Sequence, residues 1–255
     1  MKLKFPAEAF ALGIILFSAG MKEAFLCGVL TVWAAVLAAF LANLLDGRVP
    51  VWSLRSSVLV MTGAFTAAAF RWADFALGLA DSGWAFAVSG GLVGLLAAKG
   101  ALQGGWGSDY GELCAQSGLC WGLWVLCGAL REFLTSGEVF GSRLAAAPFQ
   151  SSAFGGAAFG FLAAGIILGI VCAAAKGQCA AGGLLVALPA VCLIQPFQFP
   201  LGNALLGAAL AAGVTLVFFA SAKITLAFSR TAPALRRLPV ELLAMGIVWM
   251  VLGVF

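Results

Sequence analysis

Charged residues inside apolar stretches are the first candidates for chemistry in this sequence. They are costly in a bilayer, and they often mark ion paths or fixed charge pairs. Arg131 and Glu132 stand together near the end of one such stretch, where we expect an ion pair that shapes the following loop. Asp81 and Glu241 are the acidic candidates for a cation or proton path. Loss of Arg131 is expected to damage assembly more than any chemistry.

Two lysines in apolar surroundings, Lys99 and Lys223, offer positive charges that could line a polar cavity if they face the interior of a helical bundle. A competing interpretation applies to these lysines and to Arg131. Long basic side chains near helix ends usually extend to the lipid headgroups or cap the last turn. The sequence leaves both interpretations open.

The seven cysteines are the other residues with metal-binding or nucleophilic chemistry. They lie mostly in apolar runs without a C-x-x-C pair, at Cys27, Cys114, Cys120, Cys127, Cys172, Cys179 and Cys192. Buried cysteine usually behaves as a small apolar residue, so we expect neither a metal centre nor a disulfide framework. Histidine, the commonest general base, is absent. No nucleophile–base pair or phosphate-binding loop is recognisable, so no independent enzyme active site is expected.

The composition indicates that these residues sit in a membrane. Of the 255 residues, 63% are hydrophobic and only 9% are charged, and the mean hydropathy is +1.09. A soluble domain carries roughly 25% charged residues, because its surface must face water. Long runs of Ala, Leu and Gly favour helices over barrel strands, which alternate in short segments. The net charge of +4 does not indicate a nucleic-acid-binding protein.

Nine apolar segments are predicted, at about 6–20, 23–45, 51–73, 76–98, 113–134, 151–175, 181–199, 203–228 and 238–255. The first and seventh are short for a bilayer, the fourth is interrupted at 81–83, and the seventh carries Pro189 and Pro196, with Pro200 directly after it. The segments therefore group in threes: the first, fourth and seventh are each followed by two longer helices. We therefore expect an all-α polytopic membrane protein built of three inverted three-helix units, some with short or broken segments.

The basic residues favour one orientation of this layout. With nine crossings and the N-terminus inside, ten Lys and Arg fall on the inner side and four on the outer side. The inner ones are Lys2, Lys4, Arg48, Arg55, Lys99, Lys176, Lys223, Arg230, Arg236 and Arg237; the outer ones are Lys22, Arg71, Arg131 and Arg143. Because basic residues concentrate in cytoplasmic loops, we expect a cytoplasmic N-terminus, an external C-terminus and a first segment that is retained.

The stretch GALREFLTSGEVFG, residues 128–141, resembles the RnfE/NqrD-type subunits of the Rnf/Nqr family of ion-translocating electron-transport complexes. The following helix, residues 151–176, is similar to the sixth helix of those subunits, and residues 201–255 resemble the last two helices of RnfA-type subunits. The resemblance implies two regions: 1–176, an RnfE/NqrD-like unit of six segments, and 177–255, resembling the C-terminal half of an RnfA-like subunit.

The same resemblance implies paired inverted-repeat subunits that hold an iron–sulfur cluster between cysteines on their broken first and fourth helices. This chain departs from the family there. Phe10 to Gly13 and the region around Lys99 carry no thiol, and Cys192 is displaced from the family's position. Since a cluster typically needs four thiolates, we expect no cofactor held by this chain alone. A [2Fe–2S] cluster shared with a partner subunit through Cys192 is the alternative, and a lysine could replace the charge of the lost group.

The expected function is therefore that of an integral membrane subunit of an Rnf/Nqr-like complex that couples redox flow to Na⁺ or H⁺ translocation. Its partners would be the lipid bilayer and other Rnf/Nqr-like membrane subunits, with no nucleic acid, in the inner membrane if the source is bacterial. The chain would be a non-catalytic subunit of that translocase. Two alternatives stay open: a stand-alone small-molecule or ion transporter on an inverted-repeat scaffold, and a purely structural assembly factor.

Overall fold

The computed structural model describes residues 4–78, 83–104, 109–143, 150–175, 177, 183–194, 204–225 and 239–252. Nearly all of this part of the chain is helical. The α-helices are α1 (Ala7–Phe17), α2 (Met21–Leu45), α3 (Val51–Leu77), α4 (Gly83–Gly104), α5 (Tyr110–Ser136), α6 (Ala157–Ala174), α7 (Gly183–Ile194), α8 (Ala204–Thr225) and α9 (Val240–Leu252). A two-stranded hairpin, β1 (Glu138–Val139) and β2 (Ser142–Arg143), and a 3₁₀-helix, η1 (Ser152–Gly155), connect α5 to α6.

Five of the described helices, α2 to α6, are long and apolar enough to cross a membrane. Their candidate spans are Met21–Leu45, Val51–Ala76, Trp84–Gly104, Tyr110–Ser136 and Ala157–Ala174. The shorter apolar segments are Ala7–Phe17, Gly183–Ile194, Leu206–Ala222 and Val240–Val251. A crossing needs about 20 residues, or slightly fewer. The predicted all-α membrane architecture is therefore confirmed in its coarse form, whereas nine crossings and inverted units are not established by these lengths.

The predicted break in the fourth segment is wrong. α3 continues to Leu77 and ends at Gly78, whose φ of 68° is the left-handed conformation in which glycine commonly terminates helices. α4 then begins at Gly83 and runs through Lys99 without a break. Gly83, the last of the three residues that suggested a break, is the first residue of α4, and Asp81 and Ser82 lie outside the described residues.

The first helix is short, as predicted, and it lies inside the protein. α1 has 11 residues, nine of them buried, and it packs against α2, α4, α6 and α7. Such a helix is only about 16 Å long, too short for the hydrocarbon core. Apart from Glu8 in its first turn, its residues are apolar on all sides, which suits a helix surrounded by other helices. α7 is similar in length, with 12 residues and Pro189 inside it.

Helices α1 to α5 form a bundle, and their termini lie on its two opposite sides. Phe17, at the C-terminus of α1, contacts the rings of Phe70 on α3 and Phe86 on α4, with centroid distances of 5.6 Å and 4.7 Å. The first amide of α2, Met21 N, donates to Glu132 near the end of α5. We call this the hairpin end. Opposite it, at the N-terminal end, Lys4 and the last turns of α2 and α4 meet the start of α1 and α5.

Glycines let α6 lie close to its neighbours. A Cβ on Gly160 would stand 2.8 Å from the carbonyl oxygen of Ile15 in α1, and one on Gly165 would stand 2.5 Å from Leu243 in α9. Small residues allow helix backbones to approach each other closely within a membrane, where packing rather than hydrophobic burial holds helices together.

Candidate functional site

Arg131, near the C-terminus of α5, lies at the centre of a buried polar site. Only 1% of its surface is exposed. Its Nε donates to the carbonyl oxygen of Phe154 at 2.9 Å, and Nη2 donates to the carbonyl oxygens of Gly155 at 3.1 Å and Gly156 at 2.9 Å. Nη1 donates to Ser18 Oγ, just beyond the end of α1. We call this set of residues the Arg131 junction.

The junction uses the planar fork of donors that arginine provides. Phe154 and Gly155 end η1, where the last carbonyls of a helix lack intrahelical donors, and Gly156 directly precedes α6. The guanidinium also lies 5.5 Å from the ring centroid of Phe159. Arg131 takes part in none of the ion pairs found among the described residues. Backbone dipoles and a ring face therefore stabilise a cation that is shielded from water.

Both sequence-based interpretations of Arg131 need correction. Its side chain does not extend to the headgroups, because the junction encloses it. It also does not pair with Glu132. Instead, Glu132 Oε2 accepts from Met21 N at 2.7 Å, and Oε1 accepts from Gly141 N at 3.1 Å. A carboxylate at the first amide of α2 interacts favourably with the positive end of that helix. The loop is shaped as expected, but by two separate sets of bonds.

Lys99 forms an ion pair that the sequence analysis missed. Its Nζ lies 2.6 Å from Glu8 Oε2, which links α4 to the first turn of α1. Both side chains are largely buried, with 29% of Lys99 and 14% of Glu8 exposed. Glu8 stands in an apolar run and could have been flagged for that reason. The pairing itself joins residues 91 positions apart and has no local signal.

A second cluster at the N-terminal end was also missed. Lys4 Nζ lies 2.6 Å from both Asp109 Oδ2 and Glu112 Oε2, and Lys4 N donates to Gln116 Oε1 at 3.0 Å. Hydrogen bonds to Asp109 and Glu112 raise the pKa of Lys4 above 10.5, and the bond from Lys4 lowers the pKa of Asp109 below 3.8. This cluster fixes the N-terminal segment to the start of α5.

The remaining predicted site residues are not gathered into one site. Cys192 is exposed near the end of α7. Glu241 lies in the first turn of α9. Its carboxylate is close to the start of α7, because Oε2 lies 2.9 Å from the position that a Cβ on Gly183 would occupy. Lys223 belongs to α8, but its side chain is outside the described residues, as is Asp81. Lys99 lies at the N-terminal end, opposite the Arg131 junction.

Comparison of the chain with known protein families, curated proteins and solved structures finds no match. The site must therefore be interpreted from its own residues. Chemically, the junction binds the guanidinium through three backbone carbonyls and one hydroxyl, and it holds its segments together.

The described residues do not fit a complete iron–sulfur cluster. No group of three His, Cys, Asp or Glu side chains in that part of the chain could hold a metal ion. Among the described residues, the free thiols are Cys27 and Cys120, which are buried, Cys127, which is partly buried, and Cys114 and Cys192, which are exposed. A cluster typically needs four thiolates, so Cys192 could supply one ligand at most. Cys172 is disulfide-bonded, against our expectation for it.

Proposed function

We propose that this chain is an integral membrane subunit of an Rnf/Nqr-like electron-transport complex. The complex would couple redox flow to Na⁺ or H⁺ translocation, and this subunit would contribute scaffold rather than a complete redox centre. The chain would act through other membrane subunits of the same kind, which supply the electron carriers.

The observation that carries the proposal is the Arg131 junction. The resemblance is most specific in residues 128–141, which contain Arg131, and it continues in the helix that follows from residue 151. Arg131 joins these two stretches through the carbonyls of Phe154, Gly155 and Gly156. Glu132 ties the same motif to Gly141 and to α2. The quoted motif thus has a definite structural task, which supports reading it as more than generic membrane sequence.

The three-unit organisation belongs to the same proposal. α1, α4 and α7, which open the three proposed triplets, contact one another. α1 and α7 are short, as elements of an inverted-repeat centre often are, whereas α4 has 22 residues and departs from that pattern. We extend the proposal to a division into residues 1–176, an RnfE/NqrD-like region, and residues 177–255, an RnfA-like half.

We further propose a cytoplasmic N-terminus and an external C-terminus in the cell membrane. Lys4 and Lys99, both assigned to the inner side, lie at the N-terminal end of the bundle. Lys22 and Arg71, assigned to the outer side, lie at the hairpin end. These positions support the assignment of the connecting loops to the inner and outer sides of the membrane, from which the excess of basic residues on the inner side follows.

The proposal is tested by isolating the tagged chain from its native membranes under mild detergent. Co-purification with flavoprotein or other Rnf-like subunits is the expected result. A chain that purifies alone under conditions that preserve other membrane complexes would contradict it. The same preparation tests the shared cluster. Iron–sulfur absorbance that Cys192→Ala abolishes and Cys114→Ala preserves would assign one ligand to Cys192, with Cys114 as the matched exposed thiol.

A stand-alone transporter for ions or small molecules is the second candidate. The Glu8–Lys99 pair favours it, because it places two ionisable groups between a short buried helix and a candidate span. Intramembrane charge pairs of this kind are common along substrate and proton paths. The purified chain alone, reconstituted in liposomes, would then move a solute or protons. Glu8→Gln would abolish that movement if the pair lies on the path.

A further inference from the structure

The hairpin between α5 and α6 has a strained residue at its tip. β1 and β2 are joined by a two-residue turn in which Phe140 has φ of 58° and Gly141 has φ of 77°. Two successive positive φ values define the type I′ turn, which strongly prefers Asn or Gly at its first position. Phenylalanine in the left-handed region is uncommon, since its Cβ crowds the backbone. Such strain persists where the surrounding structure enforces it, and it is often associated with function.

Two contacts hold this turn in place. Gly141 N donates to Glu132 Oε1 at 3.1 Å, and the Lys22 ammonium lies 5.7 Å from the centroid of the Phe140 ring. A Cβ on Gly141 would stand 3.1 Å from Lys22 Nζ, so the turn lies directly against this lysine. The hairpin therefore folds back to the level at which α2 begins instead of extending away from the bundle.

The Phe140 ring itself is not part of the core, because 55% of the residue remains exposed. Neither strand geometry nor the Glu132 bond requires an aromatic side chain at this position. Asparagine would satisfy the turn with less strain. Beyond its contact with Lys22, the ring is therefore open to whatever surrounds the bundle at this end.

Of the described tryptophans, the three most exposed lie near helix ends and indicate where the membrane surface lies. Trp52, near the start of α3, and Trp72, near its end, are both largely exposed. They are 20 residues apart, which corresponds to about 30 Å along a helix and matches the hydrocarbon thickness. Trp84, at the start of α4, is also exposed and lies at the hairpin end with Trp72. Tryptophan favours the two membrane–water interfaces, so one interface runs past the hairpin end.

We propose that the hairpin, residues 138–143, is an interfacial anchor that binds the lipid headgroup region at this end of the bundle. The Phe140 ring inserts at the boundary between headgroups and acyl chains, and the Lys22 ammonium faces the lipid phosphates. An exposed aromatic beside a lysine is the pairing that suits such a boundary. The proposal is continuous with the lipid-facing surface of α2 to α6, and it does not depend on the electron-transport role.

Fluorine NMR of the full chain in lipid nanodiscs tests the anchor. Phe140 is replaced by trifluoromethyl-phenylalanine, and the discs contain phosphatidylcholine with a minority of phosphatidylglycerol. Three relaxation agents are compared: a nitroxide at the lipid headgroup, a nitroxide at the end of the acyl chain, and a water-soluble gadolinium chelate. Phe65, which is exposed midway along α3, and Phe161, which is fully buried, provide matched probe sites.

The anchor predicts that the headgroup nitroxide broadens the Phe140 signal most. The chain-end nitroxide should broaden Phe65 most, and Phe161 should respond weakly to all three agents. Strong broadening of Phe140 by the gadolinium chelate alone would place the tip in water and overturn the proposal. Protection from all agents would mean that protein covers the ring, and that result would overturn it too. If the Phe140 signal responds to the three agents as the Phe65 signal does, the ring lies in the hydrocarbon core, and the proposal is overturned.

A second variant keeps the test independent of the fluorinated residue. Phe140→Asn suits the left-handed backbone and removes the ring. The anchor predicts a lower melting temperature in nanodiscs, because lost lipid contact outweighs relieved strain. A higher melting temperature would show that the ring has no favourable contact and would overturn the proposal. Failure of either test leaves co-purification with redox subunits unaffected, so the two proposals can be separated.

Discussion

Arg131 and Glu132 are neighbours on α5, yet each fixes a different connection at the hairpin end. Arg131 binds the carbonyls of residues 154–156, which lead into α6, and Glu132 accepts the amides of Met21 and Gly141. Successive residues on a helix point about 100° apart, so one dipeptide can reach two segments. The pair therefore acts as a structural hub and not as an ion pair.

Arg131→Lys should destabilise the protein by about 3 kcal/mol, because one ammonium cannot reproduce the planar fork that reaches three carbonyls and Ser18 Oγ. The measurement is detergent or denaturant unfolding in mixed micelles, followed by tryptophan fluorescence. Arg55→Lys is the matched control, since Arg55 is exposed on α3 and should tolerate the change. Equal stability of the two variants would show that the junction contributes little to the fold.

The coarse fold could be predicted from composition, because long apolar helices require no tertiary information. The short buried α1 was also visible in the length of its apolar run. The break predicted at 81–83 is wrong for α4, since glycine looks alike in sequence whether it interrupts a helix or begins one. The carbonyl groups that accept hydrogen bonds from Arg131 lie 23 to 25 residues further along the chain. They are backbone atoms, and sequence carries no side-chain signal for them.

The Glu8–Lys99 pair should show strong coupling in a double-mutant cycle. Lys99→Met leaves the Glu8 carboxylate in a largely apolar contact between α1 and α4, and Glu8→Gln leaves the ammonium without its carboxylate. Each single change should cost about 2 kcal/mol, and the double variant should cost clearly less than their sum. Unfolding free energies of the four proteins give the coupling. Additive losses would mean that the two side chains do not interact in the membrane.

The cluster around Lys4 should make stability depend on pH in a defined direction. The Lys4 pKa is raised above its ordinary 10.5, so its contribution is fully present below that value and is lost as the pH rises through the raised pKa. The Asp109 pKa is lowered below its ordinary 3.8, so its contribution is present above 3.8 and is lost as the pH falls through the lowered pKa. The Lys4 contact should therefore contribute most between these two limits.

The difference in stability between the wild type and Lys4→Gln measures that contribution across the pH range. It should be constant at intermediate pH and shrink in strong acid and strong base. Arg48→Gln, which changes an exposed cation at the same end of the bundle, should show no such shrinkage. A Lys4→Gln difference that does not change with pH would indicate that Lys4 contributes through packing and not through its charge.

Two threonines on the face of α3 that packs against α4 provide an internal comparison of buried hydroxyls. Thr62 Oγ1 is buried without a hydrogen-bond partner among the described residues. Thr66 Oγ1 donates to the carbonyl oxygens of Thr62, at 2.7 Å, and Gly63, at 3.1 Å. Valine has nearly the shape of threonine but lacks the hydroxyl. Thr62→Val should therefore stabilise the protein by about 1 kcal/mol, because it removes a polar group that loses water on burial.

Thr66→Val should instead destabilise the protein by about 1 kcal/mol, since it removes a satisfied donor at the close contact with Gly94. Unfolding of both variants in the same micelles gives the two signs directly. Opposite signs would identify hydrogen bonding as the cause, because the two substitutions change shape and apolar area equally. If Thr62→Val also destabilises the protein, its hydroxyl must bind water or a lipid group at the α3–α4 contact, and the two helices are less tightly packed there than their glycines indicate.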